Sequence, residues 1–85
     1  MSDFKELHTL LTRLLRSRTN NPKISITYTT SGGTYYCHLL DEDGDVICQF
    51  AILGNTISAK LDNPFRMVDS MMSHYVRYRL TLFLK

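Results

Sequence analysis

The first twenty residues carry the hydrophobic spacing of an amphipathic helix. Apolar side chains recur at intervals of three and four residues, at Phe4, Leu7, Leu10, Leu11, Leu14 and Leu15. Ser2 or Asp3 can cap the amino-terminal end of this helix. The run Thr19-Asn20-Asn21-Pro22 predicts its other end, because Asn disfavours helix interiors and Pro restricts the residue before it.

The middle of the chain predicts antiparallel strands joined by tight turns. Residues typical of strands fill Lys23–Thr30, Thr34–Leu40 and Val46–Leu53. The first two are separated by Ser31-Gly32-Gly33, and the next two by Asp41-Glu42-Asp43-Gly44-Asp45. Glycine adopts the positive φ of hairpin turns at little cost, so both connections predict hairpins.

A fourth strand and a second helix are predicted beyond Leu53. Gly54-Asn55 permits a hairpin into Thr56–Leu61, where apolar and polar residues alternate. Asn63 and Pro64 then suit the cap and first position of a helix. Its apolar stripe is Phe65, Val68, Met71, Met72, Tyr75 and Val76. We expect this helix to run to about Leu80. The period-two alternation of residues 77–84 leaves a terminal strand as the alternative.

The order of elements is α-β-β-β-(β)-α, which predicts an α+β fold of residues 1–85 as a single domain. In this fold the helices pack on one face of an antiparallel meander sheet. Antiparallel sheets often expose the other face, and Tyr35, Tyr36, Ile47 and Leu53 are candidates for an apolar second face. An exposed apolar face indicates a partner. The predicted interface residues are Tyr36, Ile47, Leu53, Met71 and Met72.

Composition and charge narrow the function classes. The 85 residues are 44% apolar and 21% charged, which is ordinary for a folded domain. The net charge of +2 is segregated: segment 1–23 carries +3, segment 24–65 carries −4 and segment 66–85 carries +3. Basic ends suit an anionic partner. The predicted nucleic-acid-binding residues are Arg13, Arg16, Arg18, Lys23, Arg77 and Arg79.

Candidate metal and catalytic groups do not form recognised patterns. A calcium loop beginning at Asp41 would need Gly and Glu where Val46 and Ile52 stand. Cys37 and His38 are adjacent strand residues and point to opposite faces, so we expect Cys37 and Cys48 to be reduced core thiols. Ser70 and His74 share a helical face without an acid partner or oxyanion motif. The sequence therefore predicts no metal, no cofactor, no small-molecule substrate and no enzyme.

Several short stretches of the chain carry a family resemblance, namely residues 4–7 (Phe-Lys-Glu-Leu), 11–14 (Leu-Thr-Arg-Leu) and 24–27 (Ile-Ser-Ile-Thr), together with Arg18-Thr19. They are similar to the opening of the larger of the two small Alu-domain subunits of the signal recognition particle. The short Gly turn, the Cys37 strand and the Phe65–Val76 helix resemble the smaller one. The resemblance implies a homodimer or heterodimer with a continuous sheet that grips RNA on its concave face. That family has a basic RNA-facing sheet, whereas this sheet segment is acidic, so no RNA-binding residue is transferred.

The expected function is therefore a small non-enzymatic binding module. The first hypothesis is binding of structured RNA as a homodimer or heterodimer. The alternative is a protein-interaction module, such as an adaptor or an inhibitor from a virus or mobile element. We expect neither a membrane span nor a secretory signal, because no apolar run is long enough and residues 1–6 lack a basic lead, and we expect a cytoplasmic location.

Overall fold

The computed structural model describes residues 3–84. Helices and an antiparallel sheet are combined as predicted, which confirms the α+β class. The elements are α1 (Asp3–Thr19), β1 (Ser25–Ser31), β2 (Thr34–Leu40), β3 (Val46–Leu53), α2 (Ile57–Asp62) and α3 (Phe65–Leu84), with a 3-10 turn at Gly54–Thr56. The three strands are neighbours in sequence order, so the predicted meander is also confirmed.

Helix α1 contributes its apolar stripe to the core. Phe4, Leu7, Leu11 and Leu15 are buried, as their spacing predicts. The helix ends at Thr19, and Asn20 has a φ of 54°, the left-handed conformation that Asn tolerates at helix ends. The proposed cap Ser2 lies outside the described residues.

An aromatic cluster attaches the start of α1 to the sheet. The ring of Phe4 stacks on Tyr35, with centroids 3.8 Å apart and an interplanar angle of 6°. Tyr28 meets the same ring edge-on, with centroids 4.5 Å apart. Phe4 is only 2% exposed, so this contact removes the whole side chain from water. Such aromatic pairs add stabilisation beyond the burial of their area.

The strand register decides which side chains face the helices. Opposite residues in neighbouring strands share a face. The rows that face the core are Ile26, Leu39 and Cys48, then Tyr28, Cys37 and Phe50, then Thr30, Tyr35 and Ile52. Cys37 and Cys48 are both free thiols on this face, as predicted.

The second face of the sheet is mainly polar, which corrects the prediction of an apolar face. Its rows are Thr27, His38 and Gln49, then Thr29, Tyr36 and Ala51. The hairpin pairs Ser31 with Thr34, so Tyr36 faces outward and Tyr35 faces the core. Ile47 lies beside a β-bulge and packs against the core, so Tyr36 and Leu53 are the candidates that stay exposed.

The predicted fourth strand is wrong, because Thr56–Leu61 falls in the 3-10 turn and α2. The amide of Gly54 donates a hydrogen bond of 2.8 Å to the carbonyl of Gly33, which ends the ladder. The Thr56 hydroxyl then donates to the carbonyl of Leu53. In α2, Ile57 and Leu61 are one turn apart and both pack against the core, so the helix buries the apolar positions that suggested alternation.

Helix α3 begins and ends later than predicted. Pro64 precedes its first residue, and the Pro64 carbonyl accepts the amide of Val68 at 3.0 Å. The helix continues past Leu80 to Leu84, so the alternative of a terminal strand over 77–84 is wrong. A helix satisfies its own backbone groups, whereas a strand here would need a neighbouring strand to pair with.

Truncating Phe4 tests the aromatic cluster. Phe4→Ala should lower the free energy of unfolding by about 3–5 kcal/mol, because a buried ring is replaced by a cavity. Urea denaturation followed by far-UV circular dichroism measures this change. Tyr36→Ala is the control, since Tyr36 lies on the open face and is 47% exposed. Equal losses for the two variants would contradict the assigned faces of the sheet.

Candidate interaction surfaces

Three of the predicted nucleic-acid-binding arginines contact groups of the protein itself. Arg18 lies 2.5 Å from Asp69 and its guanidinium is 5.9 Å from the centre of the Phe65 ring, so it joins α1 to α3. Arg79 is 3.9 Å from Glu42. Arg16 donates through Nε to the carbonyl of Ile24 at 2.8 Å. These contacts reduce the positive charge or donor capacity that each side chain offers to a ligand.

The remaining predicted basic residues are exposed. Arg13, Lys23 and Arg77 form no salt bridge with any other residue in the range 3–84. Lys23 and Arg79 line one shallow depression at the end of α1, and Glu42 is also part of it. Arg77 lines a different depression, beside Asp69. The structure therefore brings Lys23 and Arg79 together and places Arg77 at a separate site.

The predicted interface residues divide into three groups. Tyr36 and Leu53 are 47% and 55% exposed on the open face of the sheet. Ile47 and Met72 are half-buried against the core. Met71 is 3% exposed and belongs to the core itself, so it offers no surface to a partner.

The carboxyl-terminal half of α3 carries an apolar surface that the predicted interface residues omit. Its buried side chains, Val68 and Met71, both lie in the first half of the helix. We use the name α3 stripe for four exposed residues beyond them, which are Val76, Leu80, Phe83 and Leu84. Phe83 and Leu84 are 84% and 80% exposed. In the sequence, the last three of these residues follow Val76 by four, seven and eight positions, which is the spacing of one helical face. The period-two alternation of residues 77–84 competes with that helical spacing.

The acidic turn is held together by a buried carboxylate. Asp41 is 5% exposed and its Oδ1 accepts the amides of Asp43 and Asp45. The Tyr78 hydroxyl donates to Oδ2 at 2.5 Å, which ties the turn to α3. Oxygens of Asp41, Asp43 and Asp45 lie within 4.8 Å of one another. The hydrogen bonds to Asp41 show that its carboxylate organises the turn.

These hydrogen bonds shift two pKa values in opposite directions. Burial by itself would raise the pKa of Asp41. Donation from Tyr78 and from the two backbone amides, with the charge of Arg79, outweighs burial and lowers that pKa below its ordinary value. The hydrogen bond to Asp41 raises the pKa of Tyr78, and desolvation adds to this shift. The pair is therefore an ionised carboxylate and a neutral phenol at neutral pH.

Removing the charge of Asp41 tests this pair. Asp41→Asn should lower the free energy of unfolding by about 1–3 kcal/mol at pH 7, because buried donors lose a charged acceptor. The folded pKa is depressed, so the contribution is complete above about pH 4 and is lost as pH falls through the folded value. Urea unfolding from pH 7 to pH 3 should therefore show the wild type and the variant converging.

A neighbouring carboxylate provides the control. Asp43 is exposed and contacts Asp41 through its backbone amide. Asp43→Asn should change the free energy of unfolding by less than about 0.5 kcal/mol. A gap between wild type and Asp41→Asn that stays constant down to pH 3 would contradict the role assigned to the ionised form.

A groove between β3 and α3 gathers several chemically active side chains. Cys48, Ser70 and His74 line it, together with residues of α2. Burial raises the pKa of the Cys48 thiol, so it is protonated at neutral pH and a weak nucleophile. Burial likewise raises the pKa of Cys37 to about 11. The groove therefore has the character of a binding surface with an unactivated thiol.

Comparison with known proteins finds no match. No family model matches the chain, and neither a curated protein nor a solved structure is significantly similar to it. The resemblance to the Alu-domain subunits therefore stays a prediction. Among residues 3–84, no helix has both the length and the apolar character needed to cross a bilayer.

Proposed function

We propose that this protein is a non-enzymatic protein-interaction module that acts as a homodimer formed through the α3 stripe. The supporting observation is the exposure of Val76, Leu80, Phe83 and Leu84 along one side of a single helix. The largest contiguous apolar patch on a protein surface is often a functional interaction site. A second copy of the chain is the occupant that the surface fits.

The area of the stripe is compatible with a dimer. Its residues leave roughly 500 Å² of apolar surface exposed, within the range of the largest patch on a typical monomer, which is often functional. Two copies together would bury roughly 1,000 Å², which reaches the lower limit for a specific interface. The half-buried Met72 continues the stripe by one turn towards the body of the protein, at the spacing that brings residues onto one helical face.

The charges near the stripe also permit pairing of two copies. Arg79 lies beside Glu42 of its own acidic turn, so part of its charge is already balanced. A two-fold axis would place the same surface on both sides of the interface, with the two α3 helices antiparallel. The apolar residues of one stripe would then meet those of the other.

A charge introduced into the stripe tests the dimer. Light scattering behind size exclusion should give wild-type protein a mass twice that of the 9.9 kDa chain. Leu80→Glu should give a monomer with an unchanged far-UV circular dichroism spectrum, because it buries charge in the interface without touching the core. Leu53→Glu, which alters an equally exposed leucine on the sheet, should remain dimeric. A monomeric wild type, or dissociation caused by Leu53→Glu alone, would contradict the proposal.

Binding of structured RNA is the second candidate function. The supporting observation is that Lys23 and Arg79 line one depression, with exposed Arg13 and Arg77 elsewhere on the helices. A homodimer would present each of these cations twice. Phosphates are bound by such side chains without base specificity.

The salt dependence of RNA affinity tests this candidate. A fluorescently labelled RNA hairpin should bind with an affinity that falls steeply as salt increases, because each phosphate contact releases a counterion. The double variant Lys23→Ala/Arg77→Ala should flatten that dependence, while Lys5→Ala at the opposite end of α1 should leave it unchanged. Absent binding, or binding that does not respond to salt, would exclude this function.

A further inference from the structure

The two edges of the sheet differ in how their backbone groups are occupied. On β1, the outward carbonyls of Ile24 and Ile26 receive side chains of α1. Arg16 Nε donates to the first at 2.8 Å, and His8 Nε2 lies 2.7 Å from the second. Side chains that cover an edge in this way prevent another strand from pairing there. The amino-terminal end of the β1 edge is therefore occupied by the protein itself.

The edge of β3 presents free backbone groups. In an antiparallel ladder, every second residue directs its backbone groups to the same neighbouring strand. Because Gly54 donates to Gly33, Phe50 and Ile52 also bond to β2. The backbone groups of Gln49, Ala51 and Leu53 consequently point away from the sheet. The Leu53 carbonyl accepts the Thr56 hydroxyl, so the exposed residues Gln49 and Ala51 present the free groups. Val46–Leu53 contains no charged residue and no proline, the two usual protections of an edge strand.

A groove of about 630 Å³ runs beside this free edge. Gln49 and Phe50 form its strand side, and the half-buried Met67 contributes apolar surface from α3. Its cationic residues are Lys60 and Arg66. None of the described residues that line it is acidic.

We propose that β3 and this groove bind an extended, acidic segment of a partner protein, which adds to the sheet as a fourth strand. The backbone of the segment pairs with the outward groups of Gln49 and Ala51. Its apolar side chains contact the groove beside Phe50, and its carboxylates face Lys60 and Arg66. Strand addition of this kind takes affinity from backbone hydrogen bonds and specificity from alternate side-chain pockets. The excess of positive charge selects an acidic segment over a second copy of the uncharged β3.

A displayed library of random octapeptides provides the probe. Leu80→Glu disrupts the α3 stripe, so panning against this variant selects peptides that bind the β3 edge and its groove. Selected peptides should carry Asp, Glu and apolar residues at the alternate positions that face the groove. Synthetic copies of the best peptides should bind at least tenfold more weakly, by fluorescence anisotropy, to Lys60→Glu/Arg66→Glu. Only one of the two alternate sets of peptide amides faces β3, so methylating that set should remove binding, whereas methylating the other set should leave it in place.

Two further variants test the β3 edge and the specificity of the charge effect. Gln49→Pro removes an outward amide without a ladder bond, so it should keep the fold and weaken peptide binding at least tenfold. Lys5→Glu, at a distant exposed position, should leave the affinity unchanged. Selection of no peptides, selection of basic peptides, or full binding by both sets of methylated peptides would overturn the proposal. So would a wild-type dimer that Gln49→Pro dissociates, because a second copy would then occupy the edge.

Discussion

The packing of α1 across one face of a three-stranded sheet is the interaction on which the fold depends. A sheet this small needs an apolar face covered by another element to be stable in water. Phe4 provides the attachment at one end through its stack on Tyr35, and Leu7, Leu11 and Leu15 continue the contact along the helix. The first half of α3 covers the remainder of the same face through Val68 and Met71.

This arrangement determines which surfaces stay available. Side chains of α1 reach the start of the β1 edge and occupy the carbonyls of Ile24 and Ile26, so that end of the edge is closed to strand pairing. The core face is covered before α3 ends, and the last turns of that helix have no sheet left to cover. The free edge of β3 and the α3 stripe are therefore two consequences of one packing geometry. Asp41 adds a polar tie, because Tyr78 links the β2–β3 turn to α3 just where the helix leaves the core.

The hydrophobic pattern of the sequence was sufficient to predict the first helix and the three strands, because each segment shows a single clear periodicity. The predicted turn also included Ser31, but the positive φ values of Gly32 and Gly33 set a two-residue turn that pairs Ser31 with Thr34. The segment at Ile57 was misassigned because a six-residue helix and a short strand can bury the same apolar positions. The bulge at Leu39 and Leu40 altered the environment of Ile47, and no local pattern signals such a shift.

The candidate surfaces were harder to predict than the fold. The basic residues were visible in the sequence, but their pairing with Asp69 and Glu42 depends on contacts between distant segments. The α3 stripe was hidden because residues 77–84 satisfy both the helical and the strand periods. The free edge of β3 could not be assigned while a fourth strand was expected beside it. In each case, long-range packing decided a feature that local spacing left open.

The most direct measurement is a series of backbone amide NMR spectra recorded from micromolar to millimolar protein. If two copies associate through α3, the resonances of residues 76–84 should shift with concentration, while those of β1 and of Tyr36 stay constant. Shifts concentrated on the open face of the sheet, or spectra that do not change with concentration, would contradict association through α3.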